Sequence, residues 1–248
     1  MQRVANYKYR TIKRIGSGGF GYVDKIELFN LTETYSSFYA MKVLAPQVEL
    51  KKYKERFQRE VLSQCKCQHS NVVHIYICDL YGESPFFIME LGECDLQSLI
   101  NQGQLTEHEK IDIIRMVCLG VSHIHSLGYL HRDIKPYNIL KFKNGVYKIS
   151  DFGLVRKKVQ SEDSEVLTSL NIRLGTDNYV APELMYIGSD YTEKTDIFAM
   201  GKVFEQLNVK DQNVQKIIAK CTKMDPENRY SSVNELMSDL RSLSVVEV

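Results

Sequence analysis

Tryptophan is absent from the 248 residues, and proline occurs only five times. No apolar run is long enough to span a bilayer, and the opening MQRVANYKYR has no secretory character, so a soluble, cytoplasmic chain is expected. Charge of one sign is also missing: the formal net charge of +1 gives no reason to propose nucleic acid or an anionic membrane as partner. None of the six cysteines stands in C-x-x-C spacing, and most lie in apolar segments, which points to reduced, buried thiols. His123 and His125 have no further His or Cys at ligand spacing, so they are expected to be ordinary helix residues, not zinc ligands. Asn30-Leu31-Thr32 matches a glycosylation sequon but reads as a polar loop. There is no internal repeat and no low-complexity tract, and nothing bears on oligomeric state.

The patterning that is present divides the chain. Up to about residue 90, β-branched and aromatic stretches (YKYRTIKRIGSGGFGYVDKIEL, SFYAMKVL, VVHIYICDL, PFFIME) predict five strands. One charged helix is expected from Glu49 to about Cys67, with Phe57, Val61 and Cys65 on its apolar face. Beyond Leu91-Gly92 the pattern turns helical. Thr106 and Glu109 form a capping-box signature for a long helix lined by Ile111, Ile114, Cys118, Val121 and His125 and ended by Gly128. A length of 248 suits one α+β domain of two lobes better than two domains.

Three constellations carry chemistry. Gly16-Ser17-Gly18-Gly19-Phe20-Gly21 is a G-x-G-x-x-G followed by a strand instead of a helix. Such a turn offers backbone N–H groups to the phosphates of a nucleoside triphosphate, not to a dinucleotide. Lys42 closes the apolar YAMK and needs a buried partner, for which Glu60 on the following helix is placed. LHRDIKPYNIL (130–140) sets an acid, a cation and an amide within one short loop.

Together with DFG at 151–153, AlaProGlu at 181–183, Asp196 in TDIFAMG and Arg229 in DPENRY, these motifs resemble a eukaryotic-type (Hanks-type) protein kinase catalytic domain. The likeness runs in register from about Tyr9 to Leu240. It implies the two-lobed kinase fold: a small antiparallel N-lobe sheet with one helix (about 1–91), a hinge at about 90–93 and a mostly helical C-lobe (about 94–248). By the same resemblance ATP and Mg²⁺ (or Mn²⁺) are the cofactors, and the partner is a protein substrate. Asp133 accepts the substrate hydroxyl's proton, Lys135 offsets phosphate charge, Lys42 and Glu60 pair to hold the phosphates, and Asn138 and Asp151 bind metal. The nucleotide-binding set extends from Ile15 through Gly21. Val23, Ala40 and Leu140 cover the adenine faces, Met89 stands at the back, the backbone of Glu90 and Gly92 meets the purine edge, and Asp95 meets the ribose. Lys135 and Thr176 resemble the serine/threonine branch. His131 is expected to pack against Phe152, and Arg229 to pair with Glu183.

Regulation and departures also follow from the resemblance. Arg132, with Arg156, Arg56 and Arg59, implies a basic pocket for an anion supplied by phosphorylated Thr168 or Ser169, or by Glu162, Asp163 and Glu165, unless no switch exists. Gln64 stands where the family has an apolar residue, and Phe198 takes the place left by the missing Trp as a packing change. Only NVKDQ separates two late helices, so the C-lobe is trimmed after its buried central helix. A small-molecule kinase of related fold, the alternative that the trimmed C-lobe keeps open, would lack this glycine loop and the AlaProGlu segment. A nucleotide-binding scaffold without catalysis would lose Lys42, Asp133 or Asp151, all of which are present.

Overall fold

Period-two alternation in the first ninety residues builds one antiparallel sheet. The computed structural model describes residues 1–18, 21–45, 51–158, 178–186 and 188–244. Its strands β1 (Gln2–Val4), β2 (Tyr7–Gly18), β3 (Gly21–Asn30), β4 (Ser36–Leu44), β5 (Ile75–Asp79) and β6 (Phe86–Met89) lie in the order β1-β2-β3-β4-β6-β5. The sheet has six strands where five were expected. The extra one, β1, is three residues folded back on β2 through Ala5, whose φ is +49°, and is too short to show a period. The chain divides into two compact units, Met1–Gln68 with Val72–Gly92, and His69–Asn71 with Glu93–Val248.

In the first unit the two faces of the sheet have different tasks. Ile26, Leu28, Met41, Val43 and Ile88 form one core with Val4. The opposite face carries Val23 across from Lys42, Ala40 across from Met89, and Lys42 across from Phe87. Helix α1 (Lys51–Lys66) packs through Phe57 and Val61 against Leu44, Ile75, Leu80 and Phe87, a second core of this unit. Gly21 is required where it stands: its φ is +152°, and a Cβ there would lie 2.1 Å from the Val43 carbonyl oxygen.

The second unit starts with β7 (Cys94–Asp95), α2 (Leu96–Gln102) and α3 (Glu107–Ser126). The capping box at Thr106 is formed, with the Glu109 N–H donating to the Thr106 hydroxyl at 3.2 Å and the Thr106 N–H donating to the Glu109 carboxylate at 2.9 Å. Ile113, Ile114, Val117, Cys118, Val121 and Ile124 bury the inner face of α3. Gly120 lets the segment 69–71 approach, because a Cβ there would lie 2.7 Å from the Asn71 carbonyl oxygen. Asn71 in turn accepts the Ile149 N–H at 2.9 Å and donates from Nδ2 to the Tyr147 carbonyl at 2.9 Å. Then come β8 (Tyr129–Leu130), β9 (Ile139–Lys141), β10 (Tyr147–Ile149), β11 (Arg156–Lys157) and three helices, α4 (Glu193–Gln206), α5 (Gln212–Cys221) and α6 (Val233–Ser244).

The link between α4 and α5 is short, as expected, and is closed against the first turn of α3. Lys110 donates to the Asn208 carbonyl at 3.0 Å, and Glu107 accepts the Lys210 N–H at 2.7 Å. Asp211 then caps α5 through the N–H groups of Asn213 and Val214. All six cysteines are free thiols; Cys67, Cys118 and Cys221 are fully buried, and Cys78 is exposed. Burial pushes the Cys118 thiol well up and that of Cys221 to about 12. Among the described residues no helix is long and apolar enough to cross a membrane.

Candidate active site

The first unit contributes a cation and a turn. Lys42 Nζ stands 2.5 Å from Glu60 Oε1, so the expected pair between β4 and α1 is formed, and Glu60 is almost wholly buried. Beside it, β2 and β3 stay paired up to Gly18 and Gly21, with Gly16 across from Val23. A bulge between Arg14 and Gly16 leaves Ile15 out of register and exposed. Gly19 and Phe20 lie outside the described residues. Below the bulge, Arg14 donates to Asp24 at 2.9 Å and lies 3.5 Å from the centre of the Tyr22 ring, which anchors the hairpin. The N–H of Glu90 donates to the His74 carbonyl at 3.0 Å, and its carboxylate accepts the His74 N–H at 2.8 Å.

The second unit holds the loop with the acid, the cation and the amide. β8 delivers the chain to His131, and Pro136 opens a 3₁₀ turn, Pro136–Asn138, that returns it into β9. Asp133 is met from two sides: Lys135 Nζ is 3.0 Å from Oδ1, and Asn138 donates from Nδ2 to Oδ2 at 2.9 Å and to the Asp133 carbonyl at 2.8 Å. With Nδ2 spent in this way, the amide oxygen of Asn138 is its remaining acceptor. Pairing of β9 with β10 then brings Asn138 beside Ser150, whose N–H and hydroxyl both donate to the Asn138 carbonyl, at 2.8 and 3.0 Å. Asp151 follows directly, at a φ of +61°, with the Gly153 N–H donating to its Oδ1 at 3.2 Å.

Beneath this loop the backbone is held by a buried carboxylate. Asp196 on α4 accepts the N–H groups of His131 and Arg132, each at 2.8 Å, and lies 2.8 Å from His125 Nε2. Burial works against its charge, but the His125 contact and these N–H groups more than offset it and hold the carboxyl below its usual range. His131 Nδ1 accepts the Asp133 N–H at 3.3 Å, which leaves Nε2–H to donate to the Ser150 carbonyl at 3.2 Å. Its ring meets Phe152 edge to face at 5.3 Å, as expected for a structural residue. Arg132 takes a φ of +69° and lays its guanidinium 3.9 Å from the centre of the Tyr191 ring; burial pushes its pKa down. Left-handed backbone costs about 1–3 kcal/mol per residue. Here it flanks Asp133 and falls on Asp151. A cavity of about 40 Å³ opens beside Asp133, lined among others by Arg132, Tyr179, Tyr191 and Thr195.

Residues 9–212 match the protein kinase domain family. The chain belongs to the protein kinase family. It is 31% identical over 94% of its length to a probable serine/threonine-protein kinase PknB of Lactococcus lactis, covering 41% of that protein. It is 28% identical over 95% of its length to the serine/threonine-protein kinase PrkC of Bacillus subtilis, covering 40% of it. With the cyclin-dependent kinase F-3 of rice it shares 32% identity over 81% of its length and 44% of the relative's. This kinase domain therefore spans about two fifths of the length of the curated relatives it matches.

Within the kinase domain, Arg229 is paired with Glu183 as expected, by two bonds of 2.7 and 2.8 Å. Asp95, read as a ribose partner, is the N-cap of α2: its carboxylate accepts the Ser98 N–H at 2.8 Å and hydroxyl at 3.0 Å. Leu140 stands across from it on β9. Arg156 lies on β11 across from Leu130. Thr168, Ser169 and Thr176, with Glu162, Asp163 and Glu165, lie outside the described residues. Gly92 ends the first unit. Sequence reasoning missed His125, Glu193 and Lys158, because the contact of His125 with Asp196 spans 71 positions and no motif marks it.

Proposed function

We propose that this chain is an ATP-dependent protein serine/threonine kinase domain that transfers the γ-phosphate to a Ser or Thr hydroxyl of a protein substrate. The observation that carries the reading is Asp133, whose carboxylate is oriented by Lys135 on one oxygen and Asn138 on the other. A carboxylate restrained on both sides accepts the substrate hydroxyl's proton along a defined direction, and positioning supplies much of the acceleration in phosphoryl transfer. Lys135 then offsets charge on the transferring phosphate, and Lys42, steered by Glu60, holds phosphate oxygens of ATP. The glycine turn at 16–21 offers backbone N–H groups to the same phosphates. Within the first unit Ile15, Val23, Ala40 and Met89 supply apolar cover for adenine, and Glu90 and Gly92 its backbone edge.

The donor set supports a divalent metal. Asn138 and Asp151 are drawn together by the β9–β10 hairpin, and an amide and a carboxylate are hard oxygen donors of the kind Mg²⁺ takes, with Mn²⁺ as a substitute. Such an ion neutralises phosphate charge. The chain's own residues do the rest: they orient the hydroxyl, take its proton and fix the donor loop. Specificity for Ser and Thr rests on Lys135 and on relatives named serine/threonine kinases.

The test is transfer of labelled γ-phosphate from Mg-ATP to the chain and to a protein mixture. Asp133→Asn should lower kcat by about 100-fold or more while ATP affinity is kept. Label on Ser or Thr that survives the substitution at the wild-type rate removes Asp133 from the reaction.

A further inference from the structure

Four ionisable side chains meet under the loop that carries Asp133. His125, at the end of α3, is buried with Nε2 2.8 Å from Asp196 and Nδ1 3.4 Å from Glu193 Oε2. Lys158 forms an ion pair with Glu193 Oε1 and also donates from Nζ to the His125 carbonyl at 2.8 Å. Its own N–H donates to the Gly128 carbonyl at 2.9 Å, continuing the pairing of β11 with β8. The loop-holding carboxylate, Asp196, is thus the last link of a chain running Lys158–Glu193–His125–Asp196.

We infer that Glu193 is a positioning residue for phosphoryl transfer: held in place by Lys158, whose own charge works the other way, it keeps His125 as an imidazolium against Asp196, and so fixes the backbone of His131 and Arg132 that presents Asp133. The inference rests on the kinase reading above. The geometry favours the charged ring. Asp196 meets Nε2, and Glu193 Oε2 lies 3.4 Å from Nδ1, an ion-pair distance at which Nδ1 makes no hydrogen bond. As an imidazolium the ring sets a positive charge between two carboxylates, which a neutral ring would leave without one on that side. The other titratable side chains near this cluster are the His131 ring and the Arg132 guanidinium, both close to Asp196. Burial alone would push His125 down, yet its contacts with Asp196 and Glu193 more than offset this and raise it. Glu193 is lowered to about 2, chiefly by His125 and then by Lys158.

The sign follows from the raised His125. Order that depends on the imidazolium is fully present below the ordinary histidine pKa and is lost as pH rises through the higher folded one. Removing the Glu193 charge moves that loss to lower pH, whereas removing the Lys158 charge moves it to higher pH.

The experiment measures kcat and KM with Mg-ATP and dephosphorylated casein from acid to alkaline pH, for wild type, Glu193→Gln, Glu193→Asp and Lys158→Met. The His125 ring is titrated by NMR in the same four proteins. In Glu193→Gln the alkaline midpoint of kcat should fall by about one pH unit, with KM for ATP changed less than about twofold. The NMR midpoint should move with it, Glu193→Asp should restore much of it, and Lys158→Met should shift it upwards. A kcat lowered equally at every pH makes Glu193 merely structural, and a wild-type profile in Glu193→Gln also overturns the inference. If the wild type transfers no phosphate, the kinase reading fails, and an unmoved His125 titration in Glu193→Gln overturns the linkage on its own.

Discussion

The Arg229 guanidinium has no exposed side-chain surface, and all of its N–H groups are spent. Nε donates to the Lys223 carbonyl, Nη1 to Glu183 and Lys194, and Nη2 to Glu183 and Met224, all within 3.1 Å. A charge enclosed in this way is tolerable only while its carboxylate partner stays. Glu183→Gln should therefore cost about 3–5 kcal/mol in urea unfolding. A loss under about 1 kcal/mol would place the pair with exposed salt bridges instead. At this scale the sequence was informative where a motif names both partners, as for Arg229 with Glu183, Lys42 with Glu60, and His131 with Phe152. It was silent where a role arises from packing. The sequence reads Asp95 as a ribose partner and gives no sign that its carboxylate also caps α2 through Ser98.

Among elements, α1 shows how one polar residue ties a helix down. Gln64 is buried and donates from Nε2 to the Val73 carbonyl at 2.8 Å, while its Oε1 has no partner. The sequence flags this polar residue at an apolar position, and the structure supplies the bond it needs. Gln64→Glu removes the donor and buries a carboxylate against a carbonyl, which should cost about 2 kcal/mol or more at neutral pH. The carboxyl's folded pKa is then raised, so the penalty stands above that pKa and shrinks as pH falls through it and the acid regains an O–H donor. Urea midpoints that are insensitive to pH would show that Gln64 does not hold α1 by this bond. Elements marked by local chemistry, such as the Thr106 capping box, were legible at residue resolution. The three-residue β1 was not, because its pairing with β2 is tertiary and leaves no period to read.

For the molecule as a whole, the order of the motifs made the fold readable. Each motif is short, but together they stand in the order that the protein kinase family keeps, and it is that order that the resemblance rests on. The trimmed link after α4 was legible as a missing length, although its closure through Glu107 and Lys110 was not, since those residues lie about a hundred positions away.

The placing of the buried thiols also gives the chain its own stopwatch for opening. Cys67 is sealed in the first unit and Cys118 and Cys221 in the second, while Cys78 faces solvent. A brief pulse of a thiol-reactive label followed by peptide mass spectrometry should mark Cys78 at once and the sealed thiols only as their own unit unfolds. Cys67 marked long before Cys118 and Cys221 would date the loosening of the sheet separately from that of the helices. Simultaneous marking would show that both units open in one cooperative event, and prompt marking of all four would contradict the burial of Cys67, Cys118 and Cys221.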